Sequence, residues 1–167
     1  AARVRNLVPV ILPSGKKLNL SPGCHNKLQV AIVETFAPRF APGAMVLYLG
    51  DAAKKSLHLD QDALTRLGIN LTEHDKLPDI VLFSEEKNWL YLIEAVTSHG
   101  PVSHKRKREL DLFFSKCTLV RIYVSAFPSF AEFKRHIQEI AWETEVWIAE
   151  MPDHLIHFNG DKFLGPG

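Results

Sequence analysis

The sequence is poor in cysteine: Cys24 and Cys117 are the two in 167 residues, and they stand far apart. Neither a disulfide framework nor a clustered cysteine metal site fits that number and spacing. They read as reduced thiols of an intracellular, cytoplasmic protein. No apolar run is long enough to cross a bilayer, which argues against a membrane role. Neither sign of charge is in excess: 20 Lys and Arg stand against 19 Asp and Glu, a net charge of +1. Total charge therefore does not announce a nucleic-acid partner. Internal repeats and low-complexity segments are also missing, and with them the repeat architectures. The chain opens Ala1-Ala2-Arg3 with no initiator Met and no signal-peptide pattern, which suggests a trimmed fragment or a tag scar.

What is present is ordinary globular material, 46% apolar and 23% charged, and enough chain to bury one sizeable core. One domain over residues 1–167 is the economical expectation. Residues 1–20 carry Pro9, Pro13 and Gly15 and read as an irregular or edge-like lead-in. Leu28, Ile32, Val33 and Phe36 then recur at helical spacing, closed by Pro38 and Pro42-Gly43. "AMVLYLGD" reads as a buried strand. "DQDALTRLG" reads as a short helix with Asp60 as N-cap and Gly68 as stop. "PDIVLF" and "WLYLIEAV" are strands by composition, and the polar "SEEKN" between them suits a hairpin loop. Gly100-Pro101 is expected to open a helix running to about Cys117. "TLVRIYVSAF" is a further strand, "SFAEFKRHIQEIA" an amphipathic helix, and "TEVWIA" and "HLIHFNG" late, shorter strands. The order predicts an α/β fold, a mixed sheet flanked by helices.

The hairpin carries the chemistry. Its first strand begins at Asp79 and its second ends at Glu94, fifteen residues later, so antiparallel pairing brings the two carboxylates face to face. Magnesium takes oxygen ligands and commonly one or two carboxylates, and the Ala95 carbonyl is placed to add a third oxygen. A cation so held polarises a phosphoryl oxygen and favours in-line attack by water. The plainer alternative makes Asp79 a turn residue and Glu94 a solvated edge residue. Against it, Glu94 sits in "LYLIEAV", apolar on both sides, where an unpaired charge is costly.

Pro78-Asp79 followed one strand later by a Glu resembles the PD-(D/E)XK nuclease pattern. The longer string "HDKLPDIVLF…NWLYLIEAVTSHGPVSHKRKREL" resembles the BsuBI/PstI family of type II restriction endonucleases. So do "SPG" at 21–23, "YLGD" at 48–51 and "AWETEVWIAEMPDHLIHFNGDKFLG" at 141–165, and the likeness spans nearly the whole chain. The resemblance implies a restriction-endonuclease-like fold and magnesium-dependent cleavage of both strands of double-stranded DNA at a short, palindromic site. It also implies a homodimer, a prokaryotic restriction system, and an additional N-terminal region upstream of this chain.

One position departs from the general pattern. Two residues after the second acid stands Val96, where the pattern has a lysine that orients water and stabilises the transition state. Around the helix after Gly100, Leu110, Phe113, Phe114 and Cys117 mark the buried stripe, and Lys105 lies roughly 120° from its centre at about 100° per residue. Lys105 is preferred as the migrated lysine, with Lys107, Lys76 and His99 as rivals. His99 either contacts the scissile phosphate or only shapes its turn. Glu34 and Asp51 are weaker candidates as supporting acids, Glu34 reading rather as a helix-surface residue.

Phosphate contacts are expected from Lys105, Arg106, Lys107 and Arg108, with Lys54-Lys55 and Lys134-Arg135 as outer candidates. The plainer reading of the basic run is a solvated helix face. His154 and His157 have HxxH spacing, but strand alternation would put them on opposite faces and no third ligand stands nearby, so zinc is discounted. Trp142 and Trp147 read as core. Three other functions compete with restriction: a structure-specific repair nuclease, a DNA-binding module without cleavage, suggested by Val96, and a metal-free structural protein pairing Glu94 with a cation such as Arg121.

Overall fold

The computed structural model describes residues 6–53 and 57–158. Lys54-Lys55 and the end of the late family-like string, from Asn159 on, lie outside them. The lead-in is more regular than its prolines suggest: β1 (Val8–Ile11) and β2 (Lys17–Leu20) form a separate antiparallel pair. Pro9 is tolerated because β1 has a neighbour on one side only.

Helix α1 (Cys24–Ala31) follows Gly23, whose φ of 134° suits a residue without a side chain. Pro38 does not close this helix. The chain widens into a π turn at Ile32–Phe36 and resumes as α2 (Ala37–Phe40), with Pro38 in a first turn, where its missing N–H is tolerated. Strand β3 (Met45–Leu49) leads through the short β4 (His58–Leu59) to α3 (Gln61–Arg66). As expected, Asp60 caps α3 and accepts from the Ala63 N–H at 3.1 Å, and Gly68 follows at φ 80°.

Strands β5 (Ile80–Ser84) and β6 (Trp89–Ala95) form the expected hairpin, with Ile80 opposite Ile93. Helix α4 spans His104–Phe113, β7 Val120–Phe127, α5 Phe130–His136, β8 Thr144–Ile148 and β9 Leu155–Phe158. The seven-stranded sheet runs β4-β3-β5-β6-β7-β8-β9. Its β6–β7 and β7–β8 pairs are parallel and the others antiparallel, which is the mixed sheet expected from the order of elements.

Gly100-Pro101 does not open α4. The Val102 N–H donates to the buried Ser125 Oγ at 2.9 Å, and the Val102 carbonyl accepts from the Ala141 N–H at 2.9 Å. Those bonds pin the non-helical segment beside β7, and the helix starts only after Ser103, whose Oγ accepts from the Arg106 N–H at 3.1 Å.

Alternation along the strands divides the core between two faces. Ile80, Leu82, Tyr91, Ile93 and Trp147 pack on the α1 face. Val81, Leu90 and Leu92 pack with Leu110 and Phe114 on the α4 face. On that same side Val96 joins Phe127, Phe133, Val146 and Ile148 in a further cluster beside α5. A register break between Val46 and Tyr48 lets Leu47 and Tyr48 both join the α4-face cluster. Trp147 is core as expected. Trp142 is not: it sits in the turn before β8, is 54% exposed, and leans on Phe158 at a centroid distance of 5.7 Å.

Candidate active site where β5 begins and β6 ends

The pairing of Ile80 with Ile93 puts Asp79 opposite Glu94, one step beyond, on the α4 face of the sheet. Asp79 is fixed by backbone. Its Oδ2 accepts from the Ala95 N–H at 2.8 Å, and its carbonyl accepts from the Gly50 N–H at 2.9 Å, which ties the end of β3 to the entry of β5. Its Oδ1 faces the His25 Nε2 at 3.5 Å, and the other nitrogen of that ring, Nδ1, lies 3.1 Å from the Thr97 Oγ1. Hydrogen bonding to Asp79 raises the His25 pKa above its usual value. Burial opposes that shift, and the charges of Asp79, Glu94 and Asp51 add to it.

Glu94 is held differently. Its Oε1 lies 2.8 Å from the Arg106 Nε, which reaches across from α4, and its side chain is only 13% exposed. Burial first, and the neighbouring Asp79 charge second, push the Glu94 carboxyl up to about 8 against the pull of Arg106. An acid that keeps its proton at neutral pH beside a second carboxylate is a site short of positive charge.

A cleft of about 630 Å³ opens beside Asp79, lined among others by His25, Tyr48, Asp51 and His99, and Glu94 does not line it. Asp51 is almost fully buried there. Burial disfavours its charge, but the N–H groups of Ala53 and Ser21, the Asn26 amide and the Ser21 hydroxyl hold its carboxyl below the ordinary range. Gln29 extends this network to the Gly50 carbonyl at 2.8 Å. The end of β3 is thereby locked to the start of α1, the helix that carries His25.

The remaining expected site residues fall into two groups. His99 is exposed and lines the cleft. Lys105 and Arg108 are exposed on α4, where no contact ties Lys105 to either acid. Lys107 is turned aside, 3.2 Å from Asp111 and over the Tyr123 ring at 4.8 Å. Lys76 gives its carbonyl to Arg106 at 3.1 Å. Glu34 is on the helix surface, as its plainer reading has it, and accepts from the Ile11 N–H at 3.2 Å, away from the acids. Of the outer candidates, Lys134 is exposed and Arg135 pairs with Glu132 at 3.2 Å. His157 pairs with Glu145 across β8–β9. Arg121 does not partner Glu94: it bonds the Phe114 and Cys117 carbonyls and the Tyr123 hydroxyl. Val96 is fully buried, so the position two residues after Glu94 serves the α5 cluster.

Two functional side chains escape the sequence reading. His25 lies 54 residues before its partner Asp79 and in no motif, so no local signal marks it. Arg106 reads as one of the DNA contacts, and nothing in the basic run separates it from its neighbours.

Among the described residues no three of His, Cys, Asp and Glu converge to cage a metal. The donors at hand are two facing carboxylates, hard oxygen ligands of the kind magnesium takes before completing its shell with water and phosphate oxygens. Burial and the neighbouring Asp79 charge both disfavour the Glu94 carboxylate, a strain that a cation between the two acids would relieve. The residues fit such an ion.

A mixed sheet with paired acids at the start of one strand and the end of the next defines a restriction-endonuclease-like nuclease domain. The profile of the BsuBI/PstI restriction endonuclease domain matches residues 8–161, and the chain belongs to that family. The type II restriction enzyme BsuBI of Bacillus subtilis is 48% identical over 164 residues, covering 98% of this chain and 52% of that protein. The type II restriction enzyme AplI of Arthrospira platensis is 36% identical over 155 residues, covering 88% and 47%. The SdaI restriction endonuclease structure superposes with a TM-score of 0.89 at 40% identity, over 99% of this chain and 52% of that one. The chain thus spans about half the length of these relatives. Among the described residues no helix is long and apolar enough to cross a membrane.

Proposed function

We propose that this chain is the catalytic domain of a type II restriction endonuclease that hydrolyses double-stranded DNA at a specific short, palindromic site, with Mg2+ as cofactor and as a homodimer. The observation that carries this reading is the meeting of Asp79 and Glu94 across β5 and β6. Asp79, Glu94 and the Ala95 carbonyl would hold the cation. When bound, it supplies charge neutralisation at the phosphoryl group and a more acidic water.

The residues of the chain supply the rest. The Ala95 N–H keeps the Asp79 carboxylate aimed before any ligand arrives. Glu94 surrenders its proton as positive charge approaches. His25 and His99 lie along the cleft, where a phosphate would come nearest to Asp79. Lys105 and Arg108 extend from α4 toward solvent, free to meet DNA phosphates, and Lys105 remains the candidate for the ammonium that Val96 cannot supply. That valine favours a second reading, a DNA-binding module without cleavage.

Incubation of a mixed-sequence plasmid with the protein and Mg2+ separates the two. Discrete fragments support restriction, binding without cutting supports the second reading, and structure-dependent nicking points to a repair nuclease. Asp79→Ala and Glu94→Ala are expected to lower cleavage by at least about 1,000-fold, the several kcal/mol of lost charge stabilisation at about 1.4 kcal/mol per tenfold. DNA affinity in Ca2+ should stay near wild type. Wild-type rates in either variant would remove the acids from the mechanism.

A further inference from the structure

Arg106 is the second cation in the run Lys105-Arg106-Lys107-Arg108, yet its guanidinium does not face outward with those of its exposed neighbours. Two of its three nitrogens are hydrogen-bonded within the domain and the third faces a carboxylate. Nε meets the Glu94 Oε1 at 2.8 Å, Nη2 donates to the carbonyls of Lys76 at 3.1 Å and Leu77 at 3.3 Å, and Nη1 lies 3.5 Å from the Glu109 Oε2. Leu77 leads through Pro78 to Asp79. One side chain therefore joins α4 to both acids, to one directly and to the other through the backbone that enters β5.

We infer that Arg106 is the positioning residue of the acid pair, supplying through Glu94 the fixed positive charge that the buried Val96 leaves missing, and that it is not a DNA contact. The inference rests on the metal-dependent nuclease reading. Its geometry needs arginine: a planar fork can bind a carboxylate and two carbonyls in fixed directions, whereas an ammonium is a single compact charge. A phosphate-binding arginine offers its N–H groups toward solvent, whereas here Nε and Nη2 are turned onto Glu94 and the backbone that enters β5. Partners that orient metal-binding groups typically carry 10–100-fold in metal affinity or activity.

The test compares Arg106→Gln and Arg106→Lys with wild type and with Asp79→Ala. Three quantities are read: single-turnover cleavage at saturating DNA, DNA affinity in Ca2+ across a salt series, and Mg2+ affinity of the free protein by calorimetry. The expected result for Arg106→Gln is a 10–100-fold loss in both maximal cleavage and Mg2+ affinity, with DNA affinity and its salt dependence unchanged. Arg106→Lys should recover only part of that loss. If cleavage falls only in step with DNA affinity, with the salt slope lower by about one, Arg106 is a phosphate contact and the inference fails. Unchanged Mg2+ affinity with full cleavage also overturns it. The double variant Arg106→Gln with Glu94→Gln separates placement from folding, because removing both partners spares the cost of one buried, unpaired charge. Its melting temperature should return toward wild type. One that stays as low as that of Arg106→Gln alone would make the loss a folding defect and refute the placement role. Wild-type cutting by Asp79→Ala would instead defeat the nuclease reading itself.

Discussion

The two flanks of the acid pair are built from opposite materials. On the α1 flank, Asp79 faces an open cleft, a histidine and a backbone N–H, and behind it Asp51, Asn26 and Gln29 knit α1 to the end of β3. On the α4 flank, Glu94 is buried and answers to one arginine. The difference follows from where each residue falls. Asp79 precedes its strand, so groups from either side of the sheet reach it. Glu94 lies within β6, flanked on its face by Leu92 and Val96, and the cation that reaches it within the domain comes from α4. Two acids that look equivalent as letters therefore differ in readiness. Asp79 is already held as a carboxylate acceptor, while Glu94 keeps a proton until a cation displaces it.

The sharpest way to break this contrast is to disable the α1 flank. His25→Ala is expected to lower cleavage about 10–100-fold, the usual cost of losing a group that orients a metal-binding carboxylate. DNA affinity in Ca2+ should hold, because the ring is engaged inside the cleft with Asp79 and Thr97. Cleavage at the wild-type rate would leave α1 with no part in the chemistry and make the α4 flank sufficient.

The protonation contrast has its own signature in metal-free stability. Glu94 titrates near 8 when folded against about 4.5 for an ordinary glutamate, so between those values the folded state binds more protons than the unfolded one. Stability contributed by this group therefore falls as pH rises from about 4.5 to about 8. The His25 pKa is also raised, so its contribution is fully present below 6.5 and is lost as pH climbs through its folded value. Asp51 runs the other way, stabilising above 3.8 and losing that contribution as pH falls through its lowered folded value. Calorimetric melting temperatures of Glu94→Gln should lack the decline across pH 4.5–8, leaving the His25 part above 6.5. A decline equal to wild type would remove Glu94 as its source.

The hairpin and the meeting of its acids were legible because period-two alternation and a short polar loop fix register locally, and register alone decides that Asp79 faces Glu94. Much of the rest depends on contacts distant in sequence. Pro38 reads as a stop, yet the widened turn before it lets the chain continue. Gly100-Pro101 reads as a helix start, yet bonds from Val102 to Ser125 and Ala141 hold that segment out of the helix. Trp142 reads as core because it and Trp147 alternate with polar residues as in a strand, but Trp142 falls in the turn before β8, where that alternation does not apply. The basic run reads as one surface, and only the packing of α4 against β6 turns Arg106 inward and Lys107 toward Asp111.

The smallest expected effect probes what aims the α4 flank. Ser103 caps α4 by accepting the Arg106 N–H, so the same residue that holds Glu94 also anchors the first turn of its helix. Ser103→Ala should cost about 1 kcal/mol of stability, the ordinary loss for a removed cap, and Ser103→Asp should restore it. The kinetic consequence is the informative part. If Arg106 draws its aim from the first turn of α4, cleavage should fall several-fold in Ser103→Ala and return in Ser103→Asp. If stability falls and cleavage does not, the carbonyls of Lys76 and Leu77 suffice to hold the guanidinium, and the α4 flank is anchored from the entry of β5 instead.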